Sequence, residues 1–206
     1  RVAFAAMPST KRNNETFRVV VDGVEGPETR GVVGAPVFSA DSKHIAYAAG
    51  TNEGAHVFVD GVPGPKLKFV YSDQVFFCGP DDRVVYAAET NDGWAIIDEG
   101  VVKAGTLTEL IRGFGCLNTG TIFYSMKRDK RHFIASGGES QGPYEEIRFL
   151  RLSGNGEHLS YVAKRSKGRD VVVLDGTPSE EYPEVTGLVQ GPGQEVAFIA
   201  KTRAGV

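Results

Sequence analysis

The stretch PVFSADSKHIAYAAGTNEGAHVFVDG, residues 36–61, decides the fold. Short runs rich in Val, Ile, Phe and Tyr alternate in it with segments of Ser, Asp, Asn and Gly. Such apolar runs are typical of β-strands, and such polar segments are typical of the tight turns between antiparallel strands. The stretch therefore predicts three short strands joined by two turns.

The same pattern recurs along the chain, and two sets of residues mark its period. The first set is an aromatic residue in the middle strand, found at Phe4, Tyr47, Tyr86, Tyr124, Tyr161 and Phe198. The second is the acid of an Asp-Gly turn or a variant of it, found at Asp22, Asp60, Asp98 and Asp175, with Ser136 in its place once. The turn markers are spaced by 38, 38, 38 and 39 residues, in phase with the aromatics.

Each period is expected to contain four antiparallel strands, here called a to d. In the unit 27–60, strand a lies around 27–33, and strands b, c and d follow within the quoted stretch. Four such strands every ~38–39 residues are typical of a β-propeller blade. The fold class is therefore all-β.

The segment PVFSADSKHIAY, residues 36–47, resembles the P-x-F-S-P-D-G-K-x-I-A-Y/F core of TolB-like propeller repeats, the bacterial relatives of WD-type propellers. It departs from that core at Ala40, where proline is usual, and at Ser42, where glycine is usual. The resemblance implies a propeller along nearly the whole chain. It leaves the function open, because such repeats serve binding modules, assembly factors and peptidase gates alike.

The pattern predicts one β-propeller domain over residues 1–206. Its parts are a partial blade 2–22, complete blades 27–60, 66–98, 103–136 and 144–175, and a partial blade 182–201. We expect five blades, with the two partial ones sharing a blade; a six-bladed or longer array is the alternative. The shared blade would hold one strand c too many. Either one copy is displaced, or the chain is cut from a longer array, or a second copy of the chain completes the ring.

Composition narrows the function classes. The 206 residues carry a net charge of −3 at pH 7, and the sequence pI of about 5.9 argues against nucleic-acid binding. No apolar run approaches the ~18 residues of a membrane span, so we expect no membrane insertion. The repeat type suggests a soluble protein of the bacterial periplasm or cytoplasm.

The residue types that carry chemistry are scattered. His44 and His158 share one repeat position, and so do His56 and His132; equivalent residues stand on different blades, so we expect no metal site. Cys78 and Cys116 are also equivalent and are expected to be buried free thiols. Motifs for a serine nucleophile, a phosphate loop or a calcium loop do not occur. We therefore predict no catalytic residue and no cofactor.

Charge is expected to separate between the two ends of the blades. The c–d loops hold about half of the 23 basic residues. The candidate binding surface on that side comprises Lys127, Arg128, Lys130, Arg131, Lys164, Arg165, Lys167 and Arg169. On the other side it comprises Asp22, Asp60, Asp98 and Asp175. Local turn chemistry also explains acids in turns, and the functional alternative is binding of a cation, a basic peptide or an anionic partner.

The leading functional hypothesis is a non-enzymatic binding or interaction module with a protein or peptide partner. Homo-oligomers could form through the incomplete terminal blades. One alternative is the propeller domain of a larger enzyme, such as a serine peptidase. Another is a carbohydrate-binding or glycoside-cleaving propeller, for which two acids ~5–9.5 Å apart would be required.

Overall fold

The computed structural model describes residues 1–7, 16–107 and 112–202, and within these ranges the chain forms strands and turns but no helix. It divides into two compact units, Arg1–Leu107 and Thr108–Val206. Every sheet is antiparallel, and its strands follow chain order. Among the described residues, no helix is both long and apolar enough to traverse a lipid bilayer.

The first unit contains three sheets. Sheet 1 consists of β1 (Ala3–Ala6), β2 (Phe17–Val21) and β3 (Val24–Thr29). Sheet 2 consists of β4 (Gly31–Phe38), β5 (Ile45–Gly50), β6 (Ala55–Val59) and β7 (Val62–Pro63). Sheet 3 consists of β8 (Phe69–Cys78), β9 (Arg83–Thr90), β10 (Gly93–Asp98) and β11 (Val101–Leu107).

The second unit also contains three sheets. Sheet 4 consists of β12 (Arg112–Cys116), β13 (Ile122–Arg128), β14 (Arg131–Ser136) and β15 (Glu139–Tyr144). Sheet 5 consists of β16 (Glu146–Leu152), β17 (Leu159–Arg165), β18 (Arg169–Leu174) and β19 (Thr177–Pro178). Sheet 6 is the pair β20 (Glu184–Gln190) and β21 (Val196–Lys201).

The sheets confirm an all-β chain built from repeated four-stranded antiparallel units, but their boundaries fall one strand later than the expected blades. The residues directly after each Asp-Gly turn pair back onto strand d, as Val62 does with Val59. The rest of the predicted strand a runs on into strand b as one long strand, with a register shift between Val33 and Val37 in β4. The two-residue turn folds the chain back onto strand d, whose outer backbone groups gain partners in this way.

Strand c lies inside each four-stranded sheet and supplies the packing core. Tyr47, Tyr86 and Tyr161 are at most 2% exposed, and the alanines beside them, such as Ala46 and Ala87, are fully buried. Small residues there let the neighbouring sheets within a unit approach closely, and valine, isoleucine and leucine side chains fill the space between them. The repeated apolar pattern of the sequence is thus the pattern of these interfaces.

Candidate functional site

The turn that follows strand d has one geometry in five of the sheets. Its two residues both have positive φ, near 50° and 85° at Asp22 and Gly23. This is the two-residue hairpin turn that matches strand twist, and it favours Asp or Asn first and Gly second. The equivalent pairs are Asp60-Gly61, Glu99-Gly100, Gly137-Gly138 and Asp175-Gly176.

This geometry corrects two of the predicted turn positions, Asp98 and Ser136. Asp98 is not in the turn: it is the last residue of β10, only 3% exposed, and it forms an ion pair with Arg83. Glu99 occupies the turn instead. In sheet 4 the turn residue is Gly137, and Ser136 ends β14. Asp98 therefore cannot belong to an exposed acidic binding surface.

The other turn acids are partners of the start of strand c. In Asp60, Oδ1 accepts the Ile45 N–H at 2.9 Å and Oδ2 lies 2.6 Å from His44 Nδ1. Asp175 repeats this with Leu159 N–H at 2.9 Å and His158 Nδ1 at 2.7 Å. Each carboxylate therefore caps the neighbouring strand and faces a basic side chain.

Arg1 and Asp22 form the same arrangement in sheet 1. The Arg1 guanidinium donates to Asp22 at 2.8 Å, and this bond, with one from the Val2 N–H, lowers the pKa of Asp22. Sequence reasoning placed His44 and His158 in equivalent positions but missed this role. The signal was available, because Arg1 and Arg83 occupy the same position three residues before the strand-c aromatic.

The turn between strands b and c carries a second polar network on the same end of the sheet. Ser39 Oγ donates to Asp41 Oδ1 at 2.8 Å and accepts the His44 N–H at 3.0 Å. Hydrogen bonds from Lys43 and Ser39 hold the pKa of Asp41 far below its usual range. Ser153 and Asn155 repeat the network, at 2.6 Å. These residues shape turns, and their polar groups bond mainly to one another.

Two equivalent grooves open between neighbouring sheets of the first unit. Groove 1, about 550 Å³, lies between sheets 1 and 2, and groove 2, about 510 Å³, lies between sheets 2 and 3. Both run from the Asp-Gly turns to the tyrosine of the next strand c, Tyr47 in groove 1 and Tyr86 in groove 2. At the turn end of each, Gly61 packs against Pro27 and Gly100 against Pro65.

Groove 2 differs from groove 1 in charge. Its rim carries four acids, namely Asp60, Asp81, Asp82 and Glu99. Its apolar wall is formed by Val57, Val59, Val62, Pro63, Phe77 and Val84. The pKa of His44 is raised, chiefly by its bond to Asp60 and further by the charges of Asp41 and Asp82. Acids from sheets 2 and 3 thus both act on the His44 side chain, and together they make the groove electronegative.

The predicted basic residues all lie in the second unit, on the hairpins β13–β14 and β17–β18. Several have acidic neighbours: Arg131 lies 3.7 Å from Glu145, and Arg165 lies 3.5 Å from Glu181. Within each sheet these hairpins stand at the opposite end from the Asp-Gly turn, because successive hairpins of an antiparallel sheet alternate in direction. Whether they form one binding surface remains a prediction.

The remaining histidines and cysteines singled out in the sequence do not form a site. His56 is 7% exposed, and its Nδ1 lies 2.8 Å from the Gly64 carbonyl oxygen. Neither Cys78 nor Cys116 is a free cysteine, so the prediction of buried free thiols was wrong. The part of the chain that the structure describes contains no group of three His, Cys, Asp or Glu side chains placed to hold a metal ion.

Comparisons with known proteins give a likeness to solved structures but no match in sequence. No protein-family model and no curated protein sequence matches the chain. Among solved structures, it is similar to the crystal structure of TolB from Acinetobacter baumannii, with a TM-score of 0.47 and 14% sequence identity. The alignment covers 97% of this chain and 52% of that one, so the chain spans about half of the length of that structure.

Proposed function

We propose that the chain is a non-catalytic binding module of the β-propeller type, and that groove 2 binds an extended peptide through a lysine or arginine side chain. One observation carries the proposal: four acids from two sheets border an apolar groove of about 510 Å³. The groove is formed by rigid strands and tight turns, which suits recognition without large rearrangement.

The shape and charge of groove 2 complement a long basic side chain. Lysine and arginine have apolar stems and charged heads, so the stem can cover Val59 and Phe77 while the head reaches the acids. Asp81 and Glu99 are exposed, whereas Asp60 is bonded to His44 and Asp82 accepts the Ala40 N–H at 3.2 Å. Asp81 and Glu99 are therefore the acids most available to a ligand.

The test is calorimetric titration with the blocked peptide acetyl-Gly-Lys-Val-Lys-Gly-amide, at low and at 0.3 M salt. We expect saturable binding that weakens with salt, since exposed charge pairs are screened. The Asp81→Asn/Glu99→Gln variant should bind about three- to tenfold more weakly, because exposed ion pairs contribute about 0.2–1 kcal/mol each.

Two controls make the result specific. Glu53→Gln/Asp92→Asn removes the same charge from exposed positions outside groove 2 and should leave binding unchanged. The same peptide with both lysines acetylated should not bind. Equal losses in the two double variants, or equal binding of the acetylated peptide, would refute the assignment to groove 2.

A further inference from the structure

The tyrosine hydroxyl at the inner end of the grooves has a partner in one place and none in another. Between sheets 4 and 5, Tyr161 Oη donates to Gln141 Oε1 at 2.5 Å. Between sheets 1 and 2, the equivalent Tyr47 hydroxyl is buried and has no hydrogen-bond partner. Tyr47 is 2% exposed, and burial raises its pKa. A buried hydroxyl without a partner is costly, because it has lost its hydrogen bonds to water without gaining others.

Strand register shows why Tyr47 lacks an acceptor. In sheet 4, Ser136 pairs with Glu139 and Ala135 with Ser140, so Gln141 comes next in β15. In sheet 1 the same count, from the pair Val21 and Val24, leads to Gly26. Gln141 and Gly26 therefore hold equivalent positions. The carboxamide that Tyr161 meets at this position has no counterpart beside Tyr47. A Cβ placed on Gly26 would lie 3.6 Å from Tyr47 Oη.

Gln141 also shows where a carboxamide lies beside a strand-c tyrosine. Its Nε2 lies closer to Gly176 than a Cβ on that residue would allow, so the amide reaches the Asp-Gly turn of sheet 5. In groove 1 the corresponding glycine is Gly61, where an added Cβ would lie 3.5 Å from Pro27 Cδ. Both residues line groove 1, together with Gly26 and Tyr47.

We propose that groove 1 binds the primary carboxamide of a glutamine side chain from a peptide partner, with Tyr47 donating to the amide oxygen as Tyr161 donates to Gln141. The buried hydroxyl lies beneath the groove wall, so entry of the amide requires a small displacement of the Gly26–Pro27 segment. The rim carries three acids, Asp22, Glu25 and Asp60, against one cation, Arg1, and this excess of negative charge disfavours a carboxylate and thereby selects glutamine over glutamate. The site shares only Asp60 with groove 2, and it does not depend on the peptide binding proposed there.

The probe is N-acetyl-glutamine N-methylamide, titrated into the chain while amide and tyrosine ring resonances are recorded by NMR. We expect saturable shifts at Gly26, Ile45 and Tyr47 with a Kd on the order of 1 mM. The blocked glutamate and blocked leucine analogues should produce no such shifts. Free glutamine, whose backbone carboxylate meets the acidic rim, should bind more weakly than the blocked form, which distinguishes a peptide side chain from the free amino acid.

Matched variants locate the site. Tyr47→Phe should weaken binding of the blocked glutamine about three- to tenfold, whereas Tyr161→Phe should leave it unchanged. Gln141→Ala should open a second site for the same probe beside Tyr161. Binding that survives Tyr47→Phe, a blocked leucine that binds equally well, or no shift at 20 mM probe would each overturn the proposal.

The thermal stability of the free protein gives a second, independent readout. Removing a hydroxyl without a partner costs nothing, so Tyr47→Phe should leave the midpoint unchanged or raise it. Tyr161→Phe should lower the midpoint, because Gln141 Oε1 loses its donor. A lowered midpoint in Tyr47→Phe would mean that water already satisfies the hydroxyl, and the proposal would fail.

Discussion

The Nδ1 atom of His44 lies 2.6 Å from Oδ2 of Asp60, and the other oxygen of that carboxylate accepts the Ile45 N–H. The pair joins the start of strand β5 to the turn after β6. The same relationship recurs between His158 and Asp175 at 2.7 Å. Residues that looked like scattered histidines and an acidic surface are thus parts of one repeated turn.

The first prediction concerns the titration of His44. Its folded pKa is raised, chiefly by the bond to Asp60, above the ordinary value of about 6.5. The stabilisation from the charged pair is therefore fully present below about pH 6.5, and it is lost as the pH rises through the raised folded pKa. NMR titration of the ring should show the raised pKa in the native chain.

Asp60→Asn is the matched control, since it keeps an oxygen for the Ile45 N–H but removes the charge. In this variant the His44 pKa should fall towards about 6.5. A native His44 pKa at or below that value would contradict the pairing.

The second prediction concerns a buried ion pair in sheet 5. Arg148 Nη2 lies 2.5 Å from Asp170 Oδ2, and the same oxygen accepts the Val185 N–H at 2.7 Å. Asp170 is fully buried, so Asp170→Ala leaves the Val185 N–H without its acceptor and the Arg148 guanidinium without its nearer carboxylate. We expect a loss of about 3–5 kcal/mol in the free energy of unfolding, measured with urea.

Glu146→Gln is the control for this pair, because Glu146 approaches the same arginine at 3.4 Å but is half exposed. Its substitution should cost less than about 1 kcal/mol. Similar losses of unfolding free energy in both variants would show that the buried Asp170 stabilises the sheet no more than the exposed Glu146 does.

The third prediction uses the turn in sheet 3. Glu99 has φ of +50°, a conformation that costs most residues about 1–2 kcal/mol and that glycine adopts freely. Gly137 shows that the fold accepts glycine at this position. Glu99→Gly should therefore stabilise the chain by about 0.5–1 kcal/mol in urea unfolding, and Glu99→Val should destabilise it.

The repeat was predictable from sequence, whereas the exact turn residues were not. The apolar residues around Tyr47, Tyr86 and Tyr161 predicted these strands, because a strand whose sheet is covered on both faces buries successive side chains. Aligning the units by their acids misplaced Asp98, since Glu99 fills the turn beside Gly100. The second turn glycine was the better marker.

That glycine follows the strand-c aromatic by 14 positions at Gly61, Gly100 and Gly138, and by 15 at Gly176. The grooves were beyond sequence reasoning, because they depend on how neighbouring sheets pack. Gly26 and Gly64 leave space beside the hydroxyls of Tyr47 and Tyr86, and only the structure shows that these residues are neighbours.

The last prediction concerns self-association through sheet 1. Phe4 is 51% exposed and Val2 is 65% exposed, although the equivalents of Phe4 in sheets 2, 3 and 5 are buried. β1 is the outer strand of its sheet, and among the described residues no strand pairs with its free edge. An apolar strand with unpaired backbone groups is a template for pairing with another chain. We expect a mass that rises with concentration in sedimentation equilibrium.

Phe4→Lys should shift this equilibrium to the monomer, because a charged side chain on an edge strand opposes pairing with a second copy. Val101→Lys is the matched control, since Val101 is similarly exposed, at 57%, and its strand β11 is also an outer strand, but of a complete four-stranded sheet. That variant should associate like the native chain. If both substitutions had the same effect, general surface hydrophobicity rather than the edge of β1 would drive the association, and if the native chain stayed monomeric at 100 µM, the exposed face of β1 would not be an interface between copies.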